Sequence, residues 1–318
     1  MTQKDTNPFP FSDSNKRYQT QDYYLRTRFG KKVIKLSLNA GFSCPNRDGS
    51  KGFGGCTYCS ADLSGDFAGN PHESILTQIE KQKSMMSSKW NDGYYISYFQ
   101  AGTNTYAPLS VLKPLFETAI TPPNTVGLAI ATRPDCLNAD VIDYLQELSK
   151  KTYLTLELGL QTIHNKTGEF IHRGHTFEDF LKTYDILKSK NINVCVHIIN
   201  GLPFETPSMM LKTAKTLAEL HPHSIKIHML HILKDTIMEK QYLNGDFQLL
   251  SLNEYTQIVC DQLEVLPQDI IIQRLTGDGA KDSLIAPLWT LKKFVVMNEI
   301  DKELVKRNSY QGIRANLV

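Results

Sequence analysis

The sequence predicts an α/β protein, an open, partial (β/α)6 barrel of the TIM type with N- and C-terminal extensions. Three observations lead there. Between residues 33 and 245, β-branched and aromatic runs alternate with stretches of helical period, about six times over. Gly, Pro or Asn punctuates the ends of these runs. At 318 residues, 41% hydrophobic and 21% charged, the chain has the composition of a soluble globular protein and the length of one large α/β unit or two ordinary ones. Consecutive βα units with buried parallel strands cross over right-handedly. Periodicity alone does not separate an open barrel from a flat doubly wound sheet; the unbroken series of about six units favours the barrel.

The elements follow in order. Residues 1–32 form a polar, tyrosine-bearing N-terminal extension, and 33–245 the barrel core. VIKLSLNAG (33–41) reads as the first strand and is followed by a cysteine-bearing loop. Residues 74–90 read as helix, 94–102 as strand, 108–120 as helix, 125–134 as strand and 139–151 as helix. Strand 153–162, helix 176–190, strand 192–203, helix 208–220 and strand 224–233 complete the series. Beyond 245 the pattern changes: a sixth barrel helix (250–266), an extra strand (269–277) and a closing helix (292–308) make a C-terminal extension, 246–318, packed on the barrel.

No run of about 18 apolar residues suits a membrane span, and the polar N-terminus lacks the apolar core of a signal peptide. A cytoplasmic location and no membrane partner are therefore expected. Cysteines in such a chain call for chemistry rather than disulfides. Cys136, Cys195 and Cys260 stand singly and read as small buried hydrophobes. The net charge of +2 decides little. Arg26, Arg28, Lys31, Lys32 and Lys35 form a basic stretch, either a solvated face or an RNA-backbone contact.

Cys44, Cys56 and Cys59 lie within sixteen residues on a glycine-rich loop, spaced C-x11-C-x2-C. Three thiolates suit a [4Fe–4S] cluster that keeps one iron open, and the loop follows the first strand, at the barrel end where catalysis is expected. A structural zinc site is the rival reading; it needs a fourth ligand such as His72.

The segment GFSCPNRDGSKGFGGCTYCS (41–60) resembles the cluster loop of the YtqA/YhcC group of radical S-adenosylmethionine (SAM) proteins, relatives of the Elongator catalytic subunit. The resemblance extends through YFQAGTNTY (98–106), ATRPDCL (131–137), LELGLQT (156–162), HRGHT (172–176), HIINGLPFET (197–206) and RLTGDG (274–279), and covers roughly residues 20–315. It implies that Cys44, Cys56 and Cys59 ligate the cluster and that the open iron chelates SAM, whose reductive cleavage yields a 5′-deoxyadenosyl radical. It also places Gly102 and Thr103 at the SAM amino group, and Gly201 against adenine through backbone contacts. Glu157 and Gln161 match positions that bond ribose hydroxyls, although two polar groups in an apolar strand are also read as a satisfied core pair. Arg173 suits the SAM carboxylate as a bidentate fork, or else forms a surface ion pair.

His197, Arg274 and Asp278 are the candidates on the substrate side, with Asp135 a weaker one; each alternatively serves structure. Among the tyrosines, core or rim packing is the rule, with one or two able to stack on a base. The nearest likeness within the group is to MnmL-type enzymes. It implies tRNA as substrate, with 5-carboxymethylaminomethyl-uridine at wobble position 34 converted to 5-aminomethyl-uridine. A reductant such as flavodoxin or ferredoxin and a pathway methyltransferase are the further partners implied. A small-molecule or protein-side-chain substrate, and a non-catalytic zinc-stabilised binding protein, are the alternatives.

Overall fold

The computed structural model describes residues 7–61, 63, 65, 67–87, 92–279 and 281–315. Its strands are β1 (Val33–Leu38), β2 (Tyr94–Phe99), β3 (Thr125–Thr132), β4 (Tyr153–Gln161), β5 (Asn193–Asn200), β6 (Ser224–Met229), β7 (Ile232–Leu233), β8 (Ile271–Arg274) and β9 (Leu284–Ala286). The first six and β8 lie side by side in that order, and every neighbouring pair is parallel. The helices are α1 (Gln21–Phe29), α2 (Ile75–Ser87), α3 (Leu109–Ala119), α4 (Ala139–Ser149), α5 (Asn165–Phe170), α6 (Phe177–Ser189), α7 (Pro207–Leu220), α8 (Ile237–Leu243), α9 (Leu252–Val265) and α10 (Lys293–Lys306).

Side-chain contacts show that the sheet curls. Lys35 Nζ on β1 donates to Glu157 Oε1 on β4 at 2.6 Å and to Gln273 Oε1 on β8 at 2.8 Å. In a flat sheet with strands ~4.8 Å apart, β1 and β4 would stand about 14 Å apart and β1 and β8 about 29 Å. Only a half-barrel brings those groups to one point, so the open-barrel expectation holds and the flat sheet is excluded. Alternation along the strands then sorts side chains by face. On β1, Ile34, Leu36 and Leu38 are buried in the main core, while Lys35 and Ser37 line the interior cavity. The helices cover the outer face with residues such as Leu112, Phe116, Leu145, Phe180, Leu217 and Leu263, all fully buried. Each such side chain contributes roughly 1.5–3 kcal/mol of burial.

Capping sets the helix starts. Thr176 with Asp179 opens α6, and Ser251 with Glu254 opens α9, each as a reciprocal capping box. The N-terminal extension has a structural task. Thr20 bridges to Ile272, whose N–H donates to Gln19 O at 2.8 Å, and α1 packs on both β1 and β8 across the seam where the barrel fails to close. The expected extra strand forms as β8 and joins the main sheet.

The expected strand 224–233 is two strands. Leu230 N–H turns to Asn200 O at 2.9 Å, and β7 then pairs antiparallel with β9 outside the barrel. No helix among the described residues is long and apolar enough to cross a membrane.

Candidate functional site

The carboxyl ends of the strands and the loop after β1 surround one cavity of about 810 Å³, lined by Cys44, Cys56 and Cys59, by Gly102 and Thr103, by Glu157, Gln161, Arg173 and His197, and by Arg274 and Asp278. It lies in the upper part of the size range of small-molecule sites. The fold thus brings eleven of the twelve predicted site residues to one cavity; Gly201 is treated below.

The cysteine loop is pinned on several sides. Arg47 donates to the carbonyls of Cys59 at 3.0 Å, Ala61 at 3.1 Å and Ser60. Asn46 Nδ2 reaches Cys56 Sγ at 3.7 Å and also bonds His172 O. Underneath lies Gly102, with φ +77°, where a Cβ would stand 2.2 Å from Phe42 O. Only glycine allows that approach. Thr103 N–H donates to Ser43 O at 3.1 Å, so the segment after β2 supports the loop through backbone contacts as well as lining the cavity.

All three cysteines are free and half-buried. Burial pushes the Cys56 thiol up, and burial with the neighbouring Cys56 pushes Cys59 to about 11; metal ligation would deprotonate them. Three thiolates on one wall of a cavity suit a cubane that takes each on a different iron and keeps the fourth iron open.

On β4, Gln161 adopts φ 62°, rare for a residue with a side chain, at a register shift between Gly159 and Gln161. Its Oε1 is buried without a hydrogen-bond partner. Such an orphan acceptor costs about 1–3 kcal/mol, and a ligand hydroxyl would satisfy it. This geometry suits the ribose role expected of Gln161.

Glu157 has another environment. It is 1% exposed and accepts from Lys35 at 2.6 Å, Lys226 at 2.5 Å and His197 Nε2 at 3.1 Å. Burial opposes its ionisation, but Lys226 and Lys35 hold it well below the usual carboxylate range. Its two oxygens are engaged by ammonium groups, so Glu157 offers a ligand hydroxyl no open acceptor of the kind Gln161 does. His197 is half-buried beside Lys226, and desolvation with that charge lowers it to about 4, leaving a neutral imidazole that donates to Glu157. Glu157, Cys195 and His197 place ligand atoms within 4.8 Å of one another. They do not make a metal site, because the lysines take the carboxylate and burial pushes the Cys195 thiol to about 12.

Arg173, 1% exposed, donates to the carbonyls of His175 at 2.8 Å, Leu160 at 2.7 Å and Thr162 at 2.5 Å. Its fork ties the end of β4 to the HRGH turn, making neither a surface ion pair nor an open carboxylate clamp. Gly201 does not line the cavity: its N–H points to Met210 Sδ at 3.3 Å and its α-carbon faces Leu250. Asp135 is held by Arg133 at 2.9 Å and by Lys51 at 2.5 Å, the structural ion pair. Arg274 pairs with Asp278 at 2.7 Å, and Lys293 joins Asp278 at 3.1 Å.

The basic stretch is largely used within the protein. Arg26 pairs with Asp13 and Asp22, Lys31 with Asp92, Lys32 with Asp22, and Lys35 points into the barrel. Residues not singled out from the sequence also line the cavity, Lys226, His228, His231 and Gln273, together with Tyr98, one of the tyrosines expected at the core or rim. Their signal was present as polar side chains at alternate positions of apolar strands, Lys226 and His228 on β6 above all.

Comparison with known proteins agrees with this architecture. Residues 44–217 match the Radical SAM superfamily and residues 222–306 the Radical_SAM C-terminal domain. The chain is 52% identical over 306 residues to the uncharacterized protein YtqA of Bacillus subtilis, covering 96% of this chain and 95% of that one. It is 38% identical over 281 residues to protein YhcC of Escherichia coli K12, covering 88% and 90%. A tRNA uridine(34) acetyltransferase of Methanocaldococcus jannaschii is 29% identical over 156 residues, 48% of this chain and 28% of that protein. Among solved structures, the archaeal Methanocaldococcus infernus Elp3 superposes with a TM-score of 0.65 at 17% identity, covering 88% of this chain and 64% of that one, a likeness of fold. The chain belongs to the radical SAM superfamily, as an enzyme that binds a [4Fe–4S] cluster and S-adenosylmethionine.

Proposed function

We propose that the enzyme modifies tRNA, converting 5-carboxymethylaminomethyl-uridine at wobble position 34 to 5-aminomethyl-uridine by removing the carboxymethyl group. The observation that carries this reading is the cavity itself: it runs from the cysteine loop down to a cationic floor at Lys35 and Lys226, suited to a substrate arm ending in a carboxylate. The relatives named tRNA uridine(34) acetyltransferase support a wobble-uridine target.

In this reading Cys44, Cys56 and Cys59 hold the cluster, and their shared place on the cavity wall supports it. When bound, the cluster and SAM supply a hydrogen-abstracting 5′-deoxyadenosyl radical. The chain's own residues do the rest. Gln161 Oε1 accepts from the ribose, and Thr103 borders the SAM amino group. His197, neutral and fixed by Glu157, faces the cavity with Arg274 and Asp278. Loss of a hydrogen atom and one electron from the arm's carbon beside the secondary amine would leave an iminium, the electron passing to the bound cluster; water adding to that carbon would release the arm as glyoxylate and leave the amine on the uridine. A flavodoxin- or ferredoxin-type reductant would feed the cluster, and a methyltransferase would act on the product.

A second reading, a small-molecule or protein-side-chain substrate, draws support from the ion-paired state of the 26–35 stretch, which offers little free charge to a phosphate backbone. Nucleoside analysis of tRNA from a deletion strain lacking any redundant route decides between them. Accumulation of the carboxymethylaminomethyl nucleoside is the expected result; an unchanged wobble position removes the tRNA reading.

A further inference from the structure

Inside the barrel, below the level of Gln161, positive charge is in excess. Lys35 and Lys226 share the single carboxylate of Glu157. The histidines beside them do not redress the balance, since burial lowers His197 to about 4 and His228 still further. Arg274, on the neighbouring strand, pairs with Asp278, which Lys293 also reaches, and so offers Lys35 and Lys226 no counter-charge. The cluster therefore carries one unmatched positive charge in a mostly enclosed wall, and unmatched buried charge is costly.

Hydrogen bonding shows the same vacancy in the donor count. Each ammonium has three N–H groups. Lys35 uses two, on Glu157 and Gln273 at 2.6 and 2.8 Å. Lys226 also uses two, on Glu157 and on Tyr98 Oη at 3.3 Å. Both nitrogens stand over the Tyr98 ring, 4.9 and 4.7 Å from its centroid, so the two ammonium groups share one part of the cavity wall. The Nε2 of His228, buried with no partner, lines the same cavity.

We propose that Lys35 and Lys226, held by Glu157 and Tyr98, form an anion subsite that receives a carboxylate on the substrate. One surplus charge matches a monoanion, and two spare N–H donors match the two oxygens of a carboxylate. The subsite lies about 7 Å along β4 from Gly159, two residues at strand rise, so it receives the end of a substituent rather than a nucleoside ring. The inference rests on the reading of this cavity as the substrate site; on the wobble-uridine reading, the carboxylate is that of the carboxymethylamino arm.

The test uses full-length protein with its cluster and saturating SAM, so that the open iron is not available to the probe. N-ethylglycine, which copies the arm, is compared with N-ethylglycinamide, which lacks the carboxylate, by calorimetric titration. At least tenfold tighter binding of N-ethylglycine is expected, with the preference lost in Lys35→Gln and in Lys226→Met while SAM affinity stays within twofold. If Lys226→Met fails to fold because Glu157 loses its main partner, Lys35→Gln, which keeps the Lys226–Glu157 pair, carries the test. A preference below twofold, or one that persists in the variants, overturns the subsite. Its failure separates from that of the tRNA reading: a carboxylate preference with unchanged wobble nucleosides keeps the subsite and removes the tRNA substrate, and altered nucleosides with no preference do the reverse.

Discussion

Gln161 and Glu157 stand four residues apart on one strand and do different work. The first carries an unsatisfied acceptor into the cavity, and the second has every oxygen engaged. A side chain that bonds a ribose hydroxyl contributes on the order of 1 kcal/mol. Gln161→Ala is therefore expected to weaken SAM binding roughly five- to tenfold, with no loss of thermal stability because the orphan acceptor disappears; unchanged SAM affinity in equilibrium dialysis would refute the ribose role. Cys56→Ala should abolish SAM cleavage and leave the far-ultraviolet dichroism of the barrel intact, whereas retained cleavage would remove Cys56 from the ligand set. The cysteines and Gln161 were legible because thiols and a lone amide in an apolar strand are rare where they have no task. Lys35 and Arg173 were not. A lysine beside Lys31 and Lys32 reads as part of a surface patch, and only the inward phase of β1 makes it a cavity residue. Arg173 lies in a polar turn, and nothing in HRGH shows that its fork closes on three carbonyls.

At the scale of elements, the alternation of strand and helix was readable because parallel strands covered by helices are apolar, β-branched and bounded by turn residues. Short helices were not. α1 buries only Leu25 and carries no apolar stripe; its ends are fixed by the Thr20 cap and by Gly30 at φ 76°. The division of 224–233 into β6 and β7 was equally hidden, since both halves are apolar and the break depends on Asn200 and β9, distant in sequence. Function at this scale depends on how the cysteine loop rests on the segment after β2. Gly102→Ala places a methyl 2.2 Å from Phe42 O, against backbone that cannot rotate aside, at a φ that disfavours any side chain. The sheet beneath should survive, since Gly102 lies beyond β2. The expected phenotype is a folded protein that reconstitutes with less than half the wild-type iron. Full iron incorporation would show that the loop positions its thiolates without this support.

For the molecule as a whole, building the site inside a half-barrel buries titratable groups, and stability then depends on pH in a defined direction. Burial lowers His175, His197, His223 and His231 from 6.5 to about 4, and His228 further. Between about 6.5 and 4 the unfolded chain therefore binds protons that the folded chain refuses. Stability rises with pH wherever the unfolded state holds more protons, so these residues favour the fold fully above 6.5 and progressively less as pH falls to 4. Each contributes a slope of up to ~1.4 kcal/mol per pH unit within that window. Glu205 and Asp301, both raised by burial, act in the opposite sense. They are two groups against five. Glu157, held low by Lys226 and Lys35 against the effect of burial, adds its own loss below the carboxylate range. Urea midpoints of the cluster-free protein should decline steadily from pH 6.5 downward, well before carboxylates titrate. Substituting His223, which lies outside the cavity with its Nε2 2.8 Å from Tyr153 Oη, by Gln should flatten part of that decline without touching the site. A midpoint constant from pH 7 to 4.5 would mean that the histidines are solvated and that the barrel interior is more open than its packing indicates.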